Sequence, residues 1–187
     1  MDQQILDALV RARAGPLTDV ALALAGAGSS RVVWAVVAVI GIAVAVRLRA
    51  VLPVLGAGVA LVATVALCIA LKRLIERPRP PVDFALVRAV GFSMPSTSAA
   101  LLAAPCVVLV ATLPVARRLR RALAVVAVLL NAVIGTAVVY LGVHWASDVL
   151  VGWLIAAAIG GATAYLVSRR PPTPSRQGSG STSFSRS

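Results

Sequence analysis

Long apolar runs, separated by short polar connections, dominate the pattern of this 187-residue chain. The runs lack the alternation of a half-buried strand, and five of them approach or reach the length that crosses a bilayer as a helix. Small residues recur within them, which suits close helix packing in lipid. The pattern therefore predicts an all-α integral membrane helical bundle with about five transmembrane helices. The predicted spans are residues 32–46, 50–71, 97–115, 122–141 and 146–167.

The first 30 residues follow a different pattern. Apolar positions such as Leu6 and Leu9 can share a helix face, while charged residues keep the segment polar and Gly15 and Pro16 interrupt it. Neither half is long or clean enough to span, so we expect an interfacial helical segment packed against the bundle; a signal anchor is the alternative. The predicted parts are this segment (1–30), the transmembrane bundle (31–167) and a disordered cytoplasmic tail rich in Pro, Ser, Gly and Arg (168–187).

Composition and charge agree with a membrane protein. The chain is 60% hydrophobic and only 13% charged. A net charge of +12 would suggest nucleic-acid binding in a soluble protein, but here the basic residues lie between apolar runs, where they set topology. We therefore predict a membrane partner and no nucleic-acid partner.

The distribution of basic residues predicts the orientation of the bundle. If the five spans alternate, one side receives ten basic residues and no acidic one, so that side should be cytoplasmic. The other side receives the connection 72–96 and the turn before residue 146. We therefore expect a multi-pass protein of the cell membrane whose candidate chemistry faces the extracytoplasmic side. The ten residues are Arg47, Arg49, Arg117, Arg118, Arg120, Arg121, Arg169, Arg170, Arg176 and Arg186.

The single histidine of the chain, His144, lies four residues before Asp148. On a helix this spacing puts both side chains on one face, so that the carboxylate can hold one ring nitrogen while the other faces a substrate. That is the geometry of an oriented nucleophile. A polar pair at a helix start on the membrane surface is the alternative.

A basic cluster follows the second span, with Lys72 and Arg79 seven residues apart. Seven residues are about two helical turns, so we expect both side chains to project to one side before Pro80 ends the helix. A lysine point charge and an arginine fork held in this way suit a phosphate group. Snorkelling at the membrane surface is the alternative.

Pro95, followed by Ser96, Thr97 and Ser98 directly before the third apolar run, predicts a helix start. Free backbone amides and the positive end of the helix dipole can cradle an anion there, with the Ser96 hydroxyl as an extra donor. Plain capping of the helix is the alternative.

Together the three stretches resemble the type 2 phosphatidic acid phosphatase superfamily, which includes membrane lipid phosphate phosphatases and soluble vanadium haloperoxidases. The first motif of that family, Lys, six residues, Arg-Pro, is met by Lys72, Arg79 and Pro80. The second, Pro-Ser-Gly-His, is met in part, with Ser96 at the serine and Ser98 at the histidine position. The resemblance covers about residues 17–167.

The third motif of the family is Ser-Arg, five residues, His, three residues, Asp. His144 and Asp148 meet its second half, while Ala137 and Val138 stand where Ser and Arg are expected. Arg77, Arg88 or Arg73 can approach from the connection to replace the missing arginine.

The resemblance implies a phosphohistidine mechanism. His144 would attack phosphorus, Asp148 would orient it, and Lys72, Arg79 and Ser96 would stabilise charge on the phosphoryl oxygens. Thr97 and Ser98 are further possible phosphate contacts. The family chemistry needs no cofactor, and one histidine with scattered carboxylates cannot build a metal site.

The missing histidine bears on the substrate, because a serine at position 98 cannot act as a general acid near neutral pH. We expect a lipid phosphate or diphosphate phosphatase acting at the outer leaflet. A diphosphate loses least, since its leaving group is itself a phosphate; a polyprenyl diphosphate is therefore favoured over a lipid like phosphatidic acid. The alternative is a catalytically impaired member that binds a phosphorylated lipid or a membrane partner without turnover.

Overall fold

Seven α-helices and one short 3-10 turn form the part of the chain described by the structure, a computed structural model. It describes residues 1–169, apart from the side chains of residues 29, 31, 33 and 34. The helices are α1 (Asp2–Arg11), α2 (Gly15–Ser29), α3 (Arg31–Arg47), α4 (Val51–Ile75), α5 (Thr97–Thr112), α6 (Arg117–Tyr140) and α7 (Ala146–Ser168), and the 3-10 turn is Val82–Phe84.

The five predicted spans all correspond to helices, α3 to α7. Of these, α4, α6 and α7 are long and apolar enough to cross a membrane, while α3 and α5 are apolar but shorter. Large apolar side chains on their outer faces, such as Val62, Val128 and Leu154, are exposed, as expected where lipid is the solvent. The predicted fold class, an all-α membrane helical bundle, is confirmed.

The centre of the bundle is built on α5, which packs against both α4 and α7. Buried alanines at positions 60, 100 and 156 form the contact. On α7, a Cβ added to Gly160 would lie 2.8 Å from the carbonyl oxygen of Ala104, too close for any larger residue. Small side chains therefore let these three helices approach closely.

The two ends of the bundle carry different parts of the chain. At one end the α4–α5 connection meets the start of α7, and the amide of Ser96 donates to the carbonyl of Asp148 at 2.9 Å. At the other end α4 begins beside the last turn of α7, where a Cβ on Gly56 would lie 2.7 Å from the Val167 side chain. The arginines at the end of α3 and at the start of α6 share this second end, so the candidate chemistry and the arginine clusters lie at opposite ends.

The N-terminal helices α1 and α2 pack beside the first of these ends. Leu6 of α1 is fully buried. The Arg13 guanidinium donates to the carbonyls of Phe84 and Tyr140 at 2.6 and 2.7 Å, and the Tyr140 hydroxyl lies 2.8 Å from that of Thr18. The segment is thus tied to α6 by buried and polar contacts.

The interfacial position of the segment 1–30 and the boundaries at residues 30 and 167 stay predictions. The disordered tail predicted for residues 168–187 lies, from residue 170 onward, outside the described residues.

Candidate active site

His144 and Asp148 lie together at the start of α7, but they do not share a helix as predicted. The helix begins at Ala146, and His144 lies in the turn that joins α6 to α7. The helical spacing fails because Gly142 takes a φ of +75° and Trp145 is extended. The first turn of α7 nevertheless directs the carboxylate back, so that His144 Nδ1 lies 3.4 Å from Asp148 Oδ2.

Gly142 is required by this turn for two reasons. Its positive φ is a conformation that residues with a Cβ rarely adopt. A Cβ there would also lie 2.1 Å from the carbonyl oxygen of Phe84, in the 3-10 turn of the α4–α5 connection. The glycine therefore sets how closely this connection approaches the residues just before His144.

The Asp148 carboxylate is fully buried and engaged on both oxygens. The backbone amide of Trp145 donates to Oδ2 at 2.9 Å, and the Arg77 guanidinium donates to Oδ1 at 2.7 Å. A buried charge requires partners of this kind. These bonds hold the carboxylate in one orientation and present Oδ2 to the ring of His144.

His144 is only 4% exposed, and its surroundings favour the neutral ring. Burial lowers the pKa of His144; the hydrogen bond with Asp148 opposes that shift, and the positive charges of Arg79 and Lys72 add to it. The imidazole is therefore neutral near neutral pH. In the tautomer whose Nδ1–H donates to Asp148, Nε2 carries a lone pair that faces the Arg79 guanidinium, and Nη1 of Arg79 lies 3.5 Å from that nitrogen.

Lys72 and Arg79 do not share a helix face, so that prediction was wrong. Helix α4 ends at Ile75, and Glu76 takes the left-handed conformation (φ 49°, ψ 32°). Pro78 accounts for the early end, because the residue before a proline is disfavoured in the helical region. Lys72 therefore reaches the site from the last turn of α4, and Arg79 reaches it from the connection.

Both cations are nevertheless brought to one place by the loop 90–93. Lys72 Nζ donates to two of its carbonyl oxygens, each at 3.0 Å. Arg79 donates to the other two at 3.0 and 3.1 Å and to the carbonyl of Val143, next to His144, at 2.6 Å. In the contacts that the structure describes, both cations bind neutral oxygens. Their charges therefore remain available to an anion.

Ser96, Thr97 and Ser98 form the start of α5. Ser96 is fully buried and is the N-cap of the helix, its Oγ accepting the amide of Ala99 at 3.4 Å. Capping uses the Ser96 oxygen as an acceptor and leaves its hydroxyl hydrogen to donate. Thr97 is half-buried and Ser98 is exposed. Ser96 therefore caps the helix, and its hydroxyl can also donate a hydrogen bond to a phosphate.

Two of the three arginines considered as substitutes for the missing motif arginine, Arg77 and Arg88, lie in different places. Arg77 is bound to Asp148 and, at 2.6 Å, to the Ser147 hydroxyl, so it is turned toward the carboxylate. Arg88 is exposed and borders the cavity that contains His144. Of the two, only Arg88 lines the same cavity as His144.

A cavity of about 460 Å³ opens from His144 and Arg79 between α2, α3, α5 and α6. Its wall away from those two residues is mostly apolar, with side chains such as Leu101 and Ile134. Ser98 and Val138, which stand at the positions of the motif histidine and the motif arginine, line it as well. The cavity therefore joins a cationic end to an apolar body, the shape of an amphiphile that carries an anionic head.

The sequence reasoning missed Asp2 and Ser147. Asp2 Oδ2 accepts from Arg77 at 2.7 Å, and its Oδ1 accepts from the Ser147 amide at 3.0 Å. Burial opposes ionisation of Asp2, but hydrogen bonds from Ser147 and Arg77 outweigh it and lower the pKa of Asp2. The contact joins residues 145 positions apart. In the sequence, the one feature that indicated this contact was the opposite charge of the N-terminal segment and the basic connection.

The sequence and the fold are similar to those of known proteins. The family model described as the PAP2 superfamily matches residues 53–172. The crystal structure of a transmembrane PAP2 type phosphatidylglycerolphosphate phosphatase from Bacillus subtilis is similar, with a TM-score of 0.70 and 29% sequence identity, covering 89% of this chain and 82% of that one. No curated protein matches the sequence.

Proposed function

The chain belongs to the PAP2 superfamily, and from this premise we propose that it is a membrane-bound phosphatase of lipid phosphates or diphosphates. One observation carries the proposal. The neutral imidazole of His144, held by Asp148 and faced by Arg79, lies at the end of an apolar cavity. A lipid phosphate needs this combination, because its phosphorus must reach the nucleophile while its chain stays out of water.

The chemistry proceeds in two steps. In the first, Nε2 of His144 forms a bond to phosphorus while the bond from phosphorus to the leaving oxygen breaks. The leaving oxygen keeps the electron pair and, where it is an alkoxide, takes a proton from water. The Nδ1 proton stays on the ring, and Asp148 stabilises the positive charge that develops there. In the second step, water attacks the phosphohistidine, inorganic phosphate leaves, one proton passes to solvent and the neutral imidazole is restored.

Three side chains supply charge stabilisation in this mechanism. Lys72 and Arg79 bring positive charge that no carboxylate neutralises in the described contacts. Ser96 contributes a hydroxyl beside the amides at the start of α5. Losing one such donor typically costs about 100- to 1,000-fold in kcat.

The leaving group decides the preferred substrate. Ser98 cannot protonate an alkoxide, and general acid catalysis is typically worth about 100- to 10,000-fold. A lipid diphosphate avoids most of this loss, because attack on its terminal phosphorus expels a lipid monophosphate. We therefore favour a polyprenyl diphosphate. Lipids like phosphatidic acid, and the phosphatidylglycerolphosphate named for the Bacillus subtilis relative, are monoesters and are expected to react more slowly.

The proposed location is the outer leaflet of the cell membrane. The candidate site lies at the end of the bundle opposite the arginines that end α3 and begin α6. Arginines that flank membrane spans are typically retained in the cytoplasm. A substrate head group would then meet His144 from the extracytoplasmic side.

A second candidate function is binding of a phosphorylated lipid, or of a membrane partner, without turnover. The positions of Ser98 and Val138 favour it, since both line the cavity of His144 and both lack the functional group of the family motif. Lys72 and Arg79 would still bind an anion in such a protein.

Phosphate release by the detergent-purified protein tests the two candidates. The panel contains a polyprenyl diphosphate, phosphatidic acid and phosphatidylglycerolphosphate, without added metal. We expect the diphosphate to react fastest, His144→Ala to abolish release, and Asp83→Asn, which changes an exposed acid of the same connection, to leave it intact. Equal rates on phosphatidic acid would contradict the diphosphate preference. Vanadate binding without release from any lipid would establish the second candidate.

A further inference from the structure

We propose that Asp2 is a positioning residue for the pair of His144 and Asp148, acting through Arg77 and the first turn of α7. The effect of Asp2 on turnover rests on the proposed phosphatase function. Its effect on His144 itself does not.

The first argument is the number of bonds that Asp2 makes. Its Oδ2 accepts from the Arg77 guanidinium at 2.7 Å and from the Ser147 hydroxyl, and its Oδ1 accepts the Ser147 backbone amide at 3.0 Å. An amide in the first turn of a helix has no partner within that helix. Asp2 therefore caps α7 from a distant part of the chain, at the residue next to Asp148.

The second argument is the bridge formed by Arg77. One of its nitrogens binds Asp2 and another binds Asp148 Oδ1, both at 2.7 Å, while the guanidinium lies 5.6 Å from the centre of the Trp145 ring. One positive charge is thus shared by two carboxylates. Without Asp2, the whole charge of Arg77 would act on Asp148 and weaken the attraction between that carboxylate and the proton on His144 Nδ1.

The sign of the effect follows from the charges around the ring. Asp148 faces His144 as a negative charge, and Arg79 and Lys72 face it as positive charges. Arg77 and Asp2 stand behind Asp148. Removing the negative charge of Asp2 leaves more uncompensated positive charge near the ring, so protonation of His144 becomes harder.

The experiment uses the fact that the chain has one histidine. The full-length protein is labelled with [15N]histidine and titrated by NMR in detergent. It carries a histidine-free tag at the C-terminus, because Met1 lines the pocket next to Asp2. We expect Asp2→Asn to lower the pKa of His144 by roughly half a unit. Asp7→Asn changes an acid of the same helix whose described side-chain partner is Gln3, and should not shift it.

A conservative variant guards against a purely structural explanation. Asp2→Glu keeps the charge, so the pKa of His144 should lie closer to the wild-type value in this variant than in Asp2→Asn. If only the shape of the Asp2 side chain mattered, Asp2→Glu would not bring the pKa back. In turnover assays, Asp2→Asn should lower kcat several-fold and leave KM unchanged.

An unshifted His144 in Asp2→Asn would overturn the proposal, and so would an equal shift in Asp7→Asn. The titration of His144 needs no turnover. A protein that releases no phosphate would therefore contradict the proposed function, but the effect of Asp2 on the pKa of His144 could still be measured.

Discussion

Arg77 and Arg79 are separated by one proline, yet they bind opposite members of the same pair. Arg77 donates to the buried Oδ1 of Asp148 at 2.7 Å, whereas Arg79 lies 3.5 Å from Nε2 of His144. Pro78 makes this possible, because it prevents the helix that would place the two side chains elsewhere. The two arginines should therefore differ in function.

Arg79→Ala should lower kcat by about 100- to 1,000-fold, because it removes a charge that stabilises the phosphoryl oxygens. Arg77→Ala should lower kcat less, since it acts only by way of Asp148. Titration with vanadate separates the two further: Arg79→Ala should weaken vanadate binding, and Arg77→Ala should leave it unchanged. Equal losses of vanadate affinity would show that Arg77 also faces the anion.

Ser98→His should raise turnover on phosphatidic acid by roughly 10- to 100-fold, part of what general acid catalysis usually contributes. The side chain is exposed to the cavity of His144, so a larger residue has room. Turnover on a lipid diphosphate should rise much less. Ser98→Ala is the control and should change neither rate; a large loss in it would reveal a direct role for the serine hydroxyl.

Val138→Arg should tighten binding of inorganic phosphate, because it places a guanidinium on the cavity wall at the position of the missing motif arginine. Val138→Leu, of similar polarity to the original residue, serves as the control for altered packing. Isothermal titration with phosphate is the measurement. No gain with arginine would indicate that the surrounding pocket has also changed.

The pH dependence of kcat/KM should reflect the lowered pKa of His144. Nucleophilic attack needs the neutral ring, so activity should persist below pH 6.5 and fall only as the pH passes through the lowered value. The same shift affects stability. As the pH falls from about 6.5 to that value, the unfolded chain binds a proton first, so the free energy of unfolding decreases. An acid limb centred above 6.5 would contradict the assignment.

Gly152→Ala should disturb the site through packing. A Cβ at Gly152 would lie 2.6 Å from the carbonyl oxygen of Ser96, the N-cap of α5, so the α5–α7 contact must open. We expect a loss of roughly 1 to 3 kcal/mol in stability, together with reduced activity. Gly161→Ala is the matched control on the same helix, because nothing lies within 4 Å of its Cβ. It should be neutral or, through helix propensity, stabilising by up to about 1 kcal/mol.

The local sequence pattern predicted the helices well and the turns between them poorly. Runs of apolar residues predicted the five helices α3 to α7, because a chain in lipid must satisfy its backbone hydrogen bonds internally and a helix does this alone. The spacing rule failed at Lys72 and Arg79 and again at His144 and Asp148. Pro78 ended the first helix before Arg79, and the turn at Gly142 and Trp145 delayed the start of the second until after His144.

The sequence by itself determined the membrane class, the helical bundle, the family resemblance and the set of candidate residues, since all of these depend on composition, periodicity and local motifs. Only the tertiary structure decided the partners of those residues. It paired Arg77 with Asp148 rather than with the space for phosphate, tied Asp2 to Ser147, and placed Ser98 and Val138 on one cavity wall with His144. The reason is physical: the partner of a buried charge is selected by proximity in the folded chain, and contacts between residues 145 positions apart leave no local periodicity in the sequence.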